Sequence, residues 1–182
     1  MAELLASAGI VMWSVFFLVP TGRATADQRI AAWEYEQVFE QLWLQGRRQP
    51  YAIKTTEAPH YRRFIMRKMG LEPVDDPNAP TKYVGTNDGR GVMFVSHVGE
   101  IFPSGFLPVE CGRFPADSVV RTYQNHPVFL ALRDSDQLKG KCRACEFRHL
   151  CGGSRARAFG VTGDLMAAEP DCIYQPSGWM AN

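Results

Sequence analysis

The sequence predicts an α/β fold: the C-terminal strands and helices of a partial (β/α) barrel, followed by a small α+β region rich in cysteine. Three observations carry this expectation. The first 70 residues alternate strand-like apolar runs with helical periodicity. Residues 71–90 (LEPVDDPNAPTKYVGTNDGR) are rich in Pro, Asp, Asn and Gly and read as a linker or long loop. All five cysteines lie beyond residue 110. The expected division is therefore 1–70, 71–90 and 91–182.

Residues 10–19 give the first strand, β-branched and aromatic, stopped by Pro20-Thr21-Gly22. The run from Gly9 to Pro20 falls short of the roughly 20 apolar residues that cross a bilayer. Glu3 precedes it and no Lys or Arg does, so the basic start of a signal peptide is missing. The expectation is a buried strand in a cytoplasmic protein. Thr25 with Gln28 matches a capping box, predicting a helix from there to about Gln45. Ala31, Tyr35, Val38, Phe39 and Leu42 share one face of that helix, with Gly46 as its C-cap and Pro50 just beyond. Tyr51 to Thr55 reads as a second strand, and Pro59 to Met69 as a helix closed by Gly70. Two such β-α units leave large apolar surfaces open, because parallel strands are buried on both faces. The missing strands are expected from another chain or from a lost half.

After the linker, Val92 to Ser96 and Glu100 to Phe102 flank a hairpin turn at Val98-Gly99. Ser118 to Tyr123 and Val128 to Arg133 suggest two short helices, broken at Asn125-His126-Pro127. Beyond Lys139 the periodicity is lost. Asn87 to Gly91 is glycine-rich but precedes a strand, which speaks against a phosphate-cradling loop. His97 and Glu100 have no partner in the sequence and read as structural. A formal net charge of +1 gives no bulk attraction for nucleic acid or an anionic membrane.

The strongest signal is Cys142-x2-Cys145-x5-Cys151, with Cys172 after a 20-residue gap. A two-residue gap lets one tight turn aim two thiolates at the same metal, and the other two close the site. Four thiolates suit tetrahedral zinc or an iron–sulfur cluster, and the spacing leaves both open. An odd cysteine count speaks against a disulfide framework. Lys139, Lys141, Arg143, Arg148, Arg155 and Arg157 surround the group against Glu146 alone. Such a run is a charge complement to thiolates or simply a solvated face, and it does not separate the metals.

The stretch KGKCRACEFRHLCGGSRARAFGVTGD, with EPDC after it, resembles the C-terminal SPASM/twitch region of radical SAM maturases. GRGVMFVSHVGEIFPSGFLP is similar to the hairpin leading into that region. WSVFFLVPTGRA and KTTEAPHYRR resemble late strands of the radical SAM barrel, nearest to the haem-biosynthesis and haem-d1-like branch. The resemblance implies that Cys142, Cys145, Cys151 and Cys172 hold one auxiliary [4Fe–4S] cluster, serving electron transfer or substrate anchoring on a peptide or tetrapyrrole. Ser104 and Ser154 stand where further cysteines are usual, which implies a single cluster, with Cys111 as a remnant or a buried free thiol.

The family's CxxxCxxC motif is absent, and no cysteine precedes Cys111. No catalytic residue is therefore expected in this stretch. S-adenosylmethionine enters only through a missing N-terminal half or a partner chain. The alternative is a non-catalytic zinc or cluster module docking on a partner. Thr21, Gly22 and Arg23 follow the first strand where barrel enzymes place their sites, so the resemblance makes them cofactor-binding candidates; the alternative is a strand-ending turn. Lys54, Thr55 and Thr56 follow the second strand likewise. His60 and Arg62 are candidates for contact with an acidic or porphyrin-like substrate.

Overall fold

A computed structural model describes residues 1–73 and 86–180, in a mixed α/β arrangement. Most of the expected linker, 74–85, lies outside the described residues. A short helix not foreseen from the sequence, α1 (Ala2–Ser7), opens the chain, and the Tyr51 hydroxyl donates to the Ala2 carbonyl at 3.1 Å. Strand β1 (Met12–Phe16) pairs in parallel with β2 (Ala52–Thr56), Met12 opposite Ala52 and Phe16 opposite Thr56. β1 is shorter than the expected 10–19 because its partner has only five residues with which to bond.

Helix α2 (Ala32–Arg48) joins the two strands. It starts later than the Thr25 capping box predicts. Gln28 does take the Thr25 N–H at 3.0 Å, but this closes only a turn of 3₁₀ helix, after which the chain is extended again at Arg29 and Ala31. The true start is marked by the Glu34 carboxylate, which accepts the Ala31 N–H at 2.6 Å. Gly46 lies inside the helix, which runs on to Arg48, so it is not the C-cap. Helix α3 (His60–Lys68) follows β2. The inner face of the strand pair meets both helices around Phe17, Tyr35, Phe39, Leu42, Ala58, Tyr61 and Phe64. On its other face Met12 and Phe16 are exposed.

The later residues build an antiparallel sheet in the order β3 (Phe94–Val95), β4 (Glu100–Phe102) and β5 (Gly112–Arg113). The third strand extends the expected hairpin. Helices α4 (Val119–Asn125) and α5 (Pro127–Arg133) are separated at His126, whose Nδ1 accepts the Val128 N–H at 3.3 Å while Pro127 begins the next helix. Ile101, Cys111 and Phe129 form the core beneath them. Two more helices, α6 (Gly140–Ala144) and α7 (Arg155–Thr162), lie where the sequence shows no periodicity. The reason is physical: α7 buries Arg155 and Arg157 along with Ala156 and Ala158, so its inward face is not an apolar stripe. Among the described residues, no helix is long and apolar enough to cross a membrane.

Arg157 ties the two parts together. Its Nη1 donates to both Glu169 carboxylate oxygens at 3.1 Å, and its Nε donates to the Leu18 carbonyl at 3.2 Å and faces Asp171 Oδ2 at 3.2 Å. Its Nη2 donates to the Glu57 carbonyl, and its guanidinium lies 5.2 Å from the Tyr35 ring centroid. Asp171 in turn accepts from the Tyr35 hydroxyl at 3.0 Å and pairs with Arg29. Beside this hub α7 packs closely on the end of the first strand segment: a Cβ on Gly160 would lie 2.7 Å from the Pro20 carbonyl oxygen. Removing one partner of a buried ion pair leaves the other uncompensated, at a cost of about 3–5 kcal/mol. Arg157→Met is expected to lose stability on that scale in urea unfolding. The double variant Arg157→Met/Glu169→Gln is expected to recover most of it, and a double as unstable as the single would refute the coupling.

Candidate metal centre

Cys142 sits in α6 and Cys145 caps it, while Cys151 lies in the loop before α7 and Cys172 in the C-terminal segment. The chain turns tightly between the second and third of these: the Arg148 N–H donates to the Cys145 carbonyl at 3.0 Å and the Cys151 N–H to the Phe147 carbonyl at 2.8 Å. The four side chains line one cavity together with His60 and Arg63 of α3, Lys141, Gly152, Gly153 and Glu169. Its open space, mouth included, is about 390 Å³. Among the described residues, no three His, Cys, Asp or Glu side chains converge tightly enough to hold a single metal ion.

Each sulfur accepts one backbone N–H. Cys151 Sγ takes that of Gly153 at 3.4 Å and Cys142 Sγ that of Glu169 at 3.2 Å. The N–H groups of Phe147 and Tyr174 serve Cys145 and Cys172. In three of the four the donor lies two residues after the cysteine. Gly153 makes this possible for Cys151: it has φ +67°, and a Cβ there would lie 2.7 Å from Glu169 Cβ. The donor set fits a thiolate-held group, since N–H donors stabilise sulfur that carries negative charge.

Burial works against the charged form. It pushes the Cys145 thiol up to about 12 and raises that of Cys151 further. At Cys172 burial also raises the thiol, opposed by the nearby charges of Arg63 and Lys141. Lys141 Nζ additionally donates to the Cys172 carbonyl. The six cations of the sequence thus divide. Lys141 and Arg148 line the cavity, whereas Arg155 is buried with its Nη1 on the Leu165 and Ala167 carbonyls, and Arg157 forms the hub. Lys139 and Arg143 are exposed, so the run is a solvated face only in part. Arg63, which no sequence signal marked, reaches the site from α3.

The other candidates fall as follows. His60 lies at the first turn of α3, 1% exposed, packed against Tyr35 and Phe39 and lining the cysteine cavity. Burial lowers its pKa to about 3, so it is neutral. Arg62 donates to the Leu150 carbonyl at 3.2 Å and the Thr86 carbonyl at 2.7 Å, pinning the cysteine loop to the chain before β3. It also lines a second, larger cavity with Lys54, Thr55, Thr56, Glu57 and Phe106, of about 1430 Å³ with its mouth included. Thr21, Gly22 and Arg23 line neither cavity; the Thr21 N–H turns back to the Val19 carbonyl at 2.8 Å. Ser104 bonds Asp88, and Ser154 donates to Glu57 Oε2 at 2.6 Å while capping α7. Cys111 is a buried core thiol whose Sγ donates to the Val109 carbonyl at 3.3 Å.

Glu57 was not marked by the sequence. It is non-glycine with φ 60°, and burial, reinforced by the neighbouring Asp88 charge, raises its pKa from 4.5 to about 7. A carboxyl whose folded pKa is raised favours folding most when protonated. Its contribution is full below about pH 4.5 and is lost as pH rises through about 7. Unfolding measured across that window is expected to show Glu57→Gln losing less stability than the wild type; equal slopes would remove Glu57 as the cause.

No family model matches the chain. The "AdoMet-dependent heme synthase" of Methanosarcina barkeri is 38% identical over 180 residues, 96% of this chain and 51% of that protein. The protein of the same name from Nitratidesulfovibrio vulgaris is 37% identical over 92% of this chain and 47% of its own length. A "PqqA peptide cyclase" of Bradyrhizobium diazoefficiens is 37% identical over 60 residues, 32% of this chain. The chain spans about half the length of the haem synthases it matches. Over nearly its whole length, then, the chain is similar to proteins of the radical SAM family.

Proposed function

We propose that this chain is the auxiliary-cluster portion of a cytoplasmic radical SAM/SPASM protein that modifies a tetrapyrrole. One observation carries the reading: four cysteines spread over Cys142 to Cys172 are gathered around a single cavity, each sulfur with its own backbone N–H. The likeness to radical SAM proteins favours an iron–sulfur cluster over a zinc ion for these four thiolates. A [4Fe–4S] cluster supplies one-electron transfer when bound. Cys142, Cys145, Cys151 and Cys172 would hold it, and Lys141 and Arg63 offset the negative charge of four thiolates.

In this reading residues 1–70 contribute strands to a (β/α) barrel, 71–90 connect, and 91–182 form the SPASM-like domain. The half carrying CxxxCxxC and binding S-adenosylmethionine then meets the open face and free edges of the β1–β2 pair, where Met12 and Phe16 are exposed. The larger cavity, at the C-terminal end of β2, is where a tetrapyrrole carboxylate would meet Lys54, with Glu57 able to donate a proton-bearing oxygen near neutral pH. Similarity to haem synthases along almost the full chain, against less than half of it for the peptide cyclases, favours a tetrapyrrole over a peptide.

The test is anaerobic reconstitution of the full chain with ferrous iron and sulfide. The expected product is brown, carries about four iron and four sulfide per chain, and gives a paramagnetic signal on reduction. Cys142→Ala and Cys172→Ala are expected to lower the iron content, and Cys111→Ala to leave it unchanged. A colourless protein with one tightly held zinc per chain would sink the proposal.

A further inference from the structure

The wall of the cysteine cavity built by α3 carries two groups with no hydrogen-bond partner among the described residues. Among the described residues, neither ring nitrogen of His60 has a partner, and nor does Nε of Arg63. His60 is 1% exposed and Arg63 4%. The two residues are three apart on α3, so they share a face, and both line the cavity. Arg63 gives one N–H of each Nη to Glu36 from α2, and its Nε–H has no partner among the described residues. A buried donor with no acceptor costs about 1–3 kcal/mol, and such orphans are rare away from sites where something else supplies the partner. Around them the cavity offers sulfur, the cations Lys141 and Arg148, and the Glu169 carboxylate, which is already committed to Arg157, Ser154 and Asp171.

We propose that α3 provides the outer hydrogen bonds of the centre: the imidazole N–H of His60 and the Nε–H of Arg63 donate to sulfur atoms of the bound cluster and raise its reduction potential. The inference rests on the reading of the four cysteines as cluster ligands. A neutral imidazole carries one N–H, and a cluster held by four cysteines leaves it no iron to bind, so sulfur is its acceptor. N–H donors favour the reduced, more negative state, which moves the potential upward. His60 also touches Tyr35 and Phe39, so the packing of the α2–α3 core fixes where its ring points. His60 and Arg63 are positioning residues for the centre, not ligands.

The experiment compares reconstituted wild type with His60→Phe, which keeps a ring against Tyr35 and Phe39 but has no donor, and with His60→Gln, which restores an N–H. Expected is an unchanged iron content in all three, a more negative potential for His60→Phe, and partial return in His60→Gln. An unchanged potential in a fully loaded His60→Phe overturns the proposal. So does a folded His60→Phe that takes up no iron, because the ring would then be part of the ligand set. A second measurement needs no variant: wild type with isotope-labelled histidine is expected to show a weak nitrogen coupling to the reduced cluster in double-resonance spectra, and none at all also overturns it. Wild type that takes up no iron defeats the reading of the cysteines themselves, an outcome plainly different from loaded protein with an indifferent His60.

Discussion

The buried pair of Arg157 and Glu169 is the interaction on which the remaining geometry depends. A guanidinium with no exposure requires a full set of acceptors, and the chain supplies them from four residues in three segments: Leu18, Glu57, Glu169 and Asp171. Those residues come from the end of the first strand, the turn after the second, and the segment leading to Cys172. Satisfying one side chain therefore fixes the approach of three segments. Glu169 uses the same carboxylate to accept the Ser154 N–H at 2.6 Å, at the start of the helix that Arg157 belongs to, and its own N–H goes to Cys142. The cysteine cavity is a by-product of this charge arithmetic as much as of the cysteines themselves.

Whether such a pair adds net stability is a separate matter, because removing two charges from water is costly. Its evident use is to specify position. An apolar contact between α7 and the first strand would tolerate sliding. A forked donor with several fixed acceptors does not.

Much of this was legible in the sequence. The strand–helix alternation of the first 70 residues, the break at His126, and the grouping of four cysteines followed from apolar spacing, a proline and a ligand pattern. What escaped were features whose signals are not apolar. Helix α7 hid because it buries arginines. The contribution of α3 to the cysteine cavity hid because His60 and Arg63 lie some 80 residues upstream of Cys142, and one sequence carries no sign of such proximity. Thr25 and Gln28 misled for the opposite reason: a local pattern was satisfied, but by a single turn. Glu57 and Glu169 look like ordinary surface carboxylates until the arginine that holds them inside is located.

Under the proposed cluster-binding role, the thiols of Cys145, Cys151 and Cys172 that burial raises have a consequence for the protein before any metal is bound. Oxidation and disulfide exchange proceed through thiolate, so the burial that raises Cys145, Cys151 and Cys172 slows their reaction with oxidants. The same burial obliges an incoming metal to expel protons as it binds, so assembly and acidity are linked. Closely placed thiols with depressed pKa values would risk cross-linking one another during the interval between synthesis and loading. Here the protein's own packing holds them in reserve.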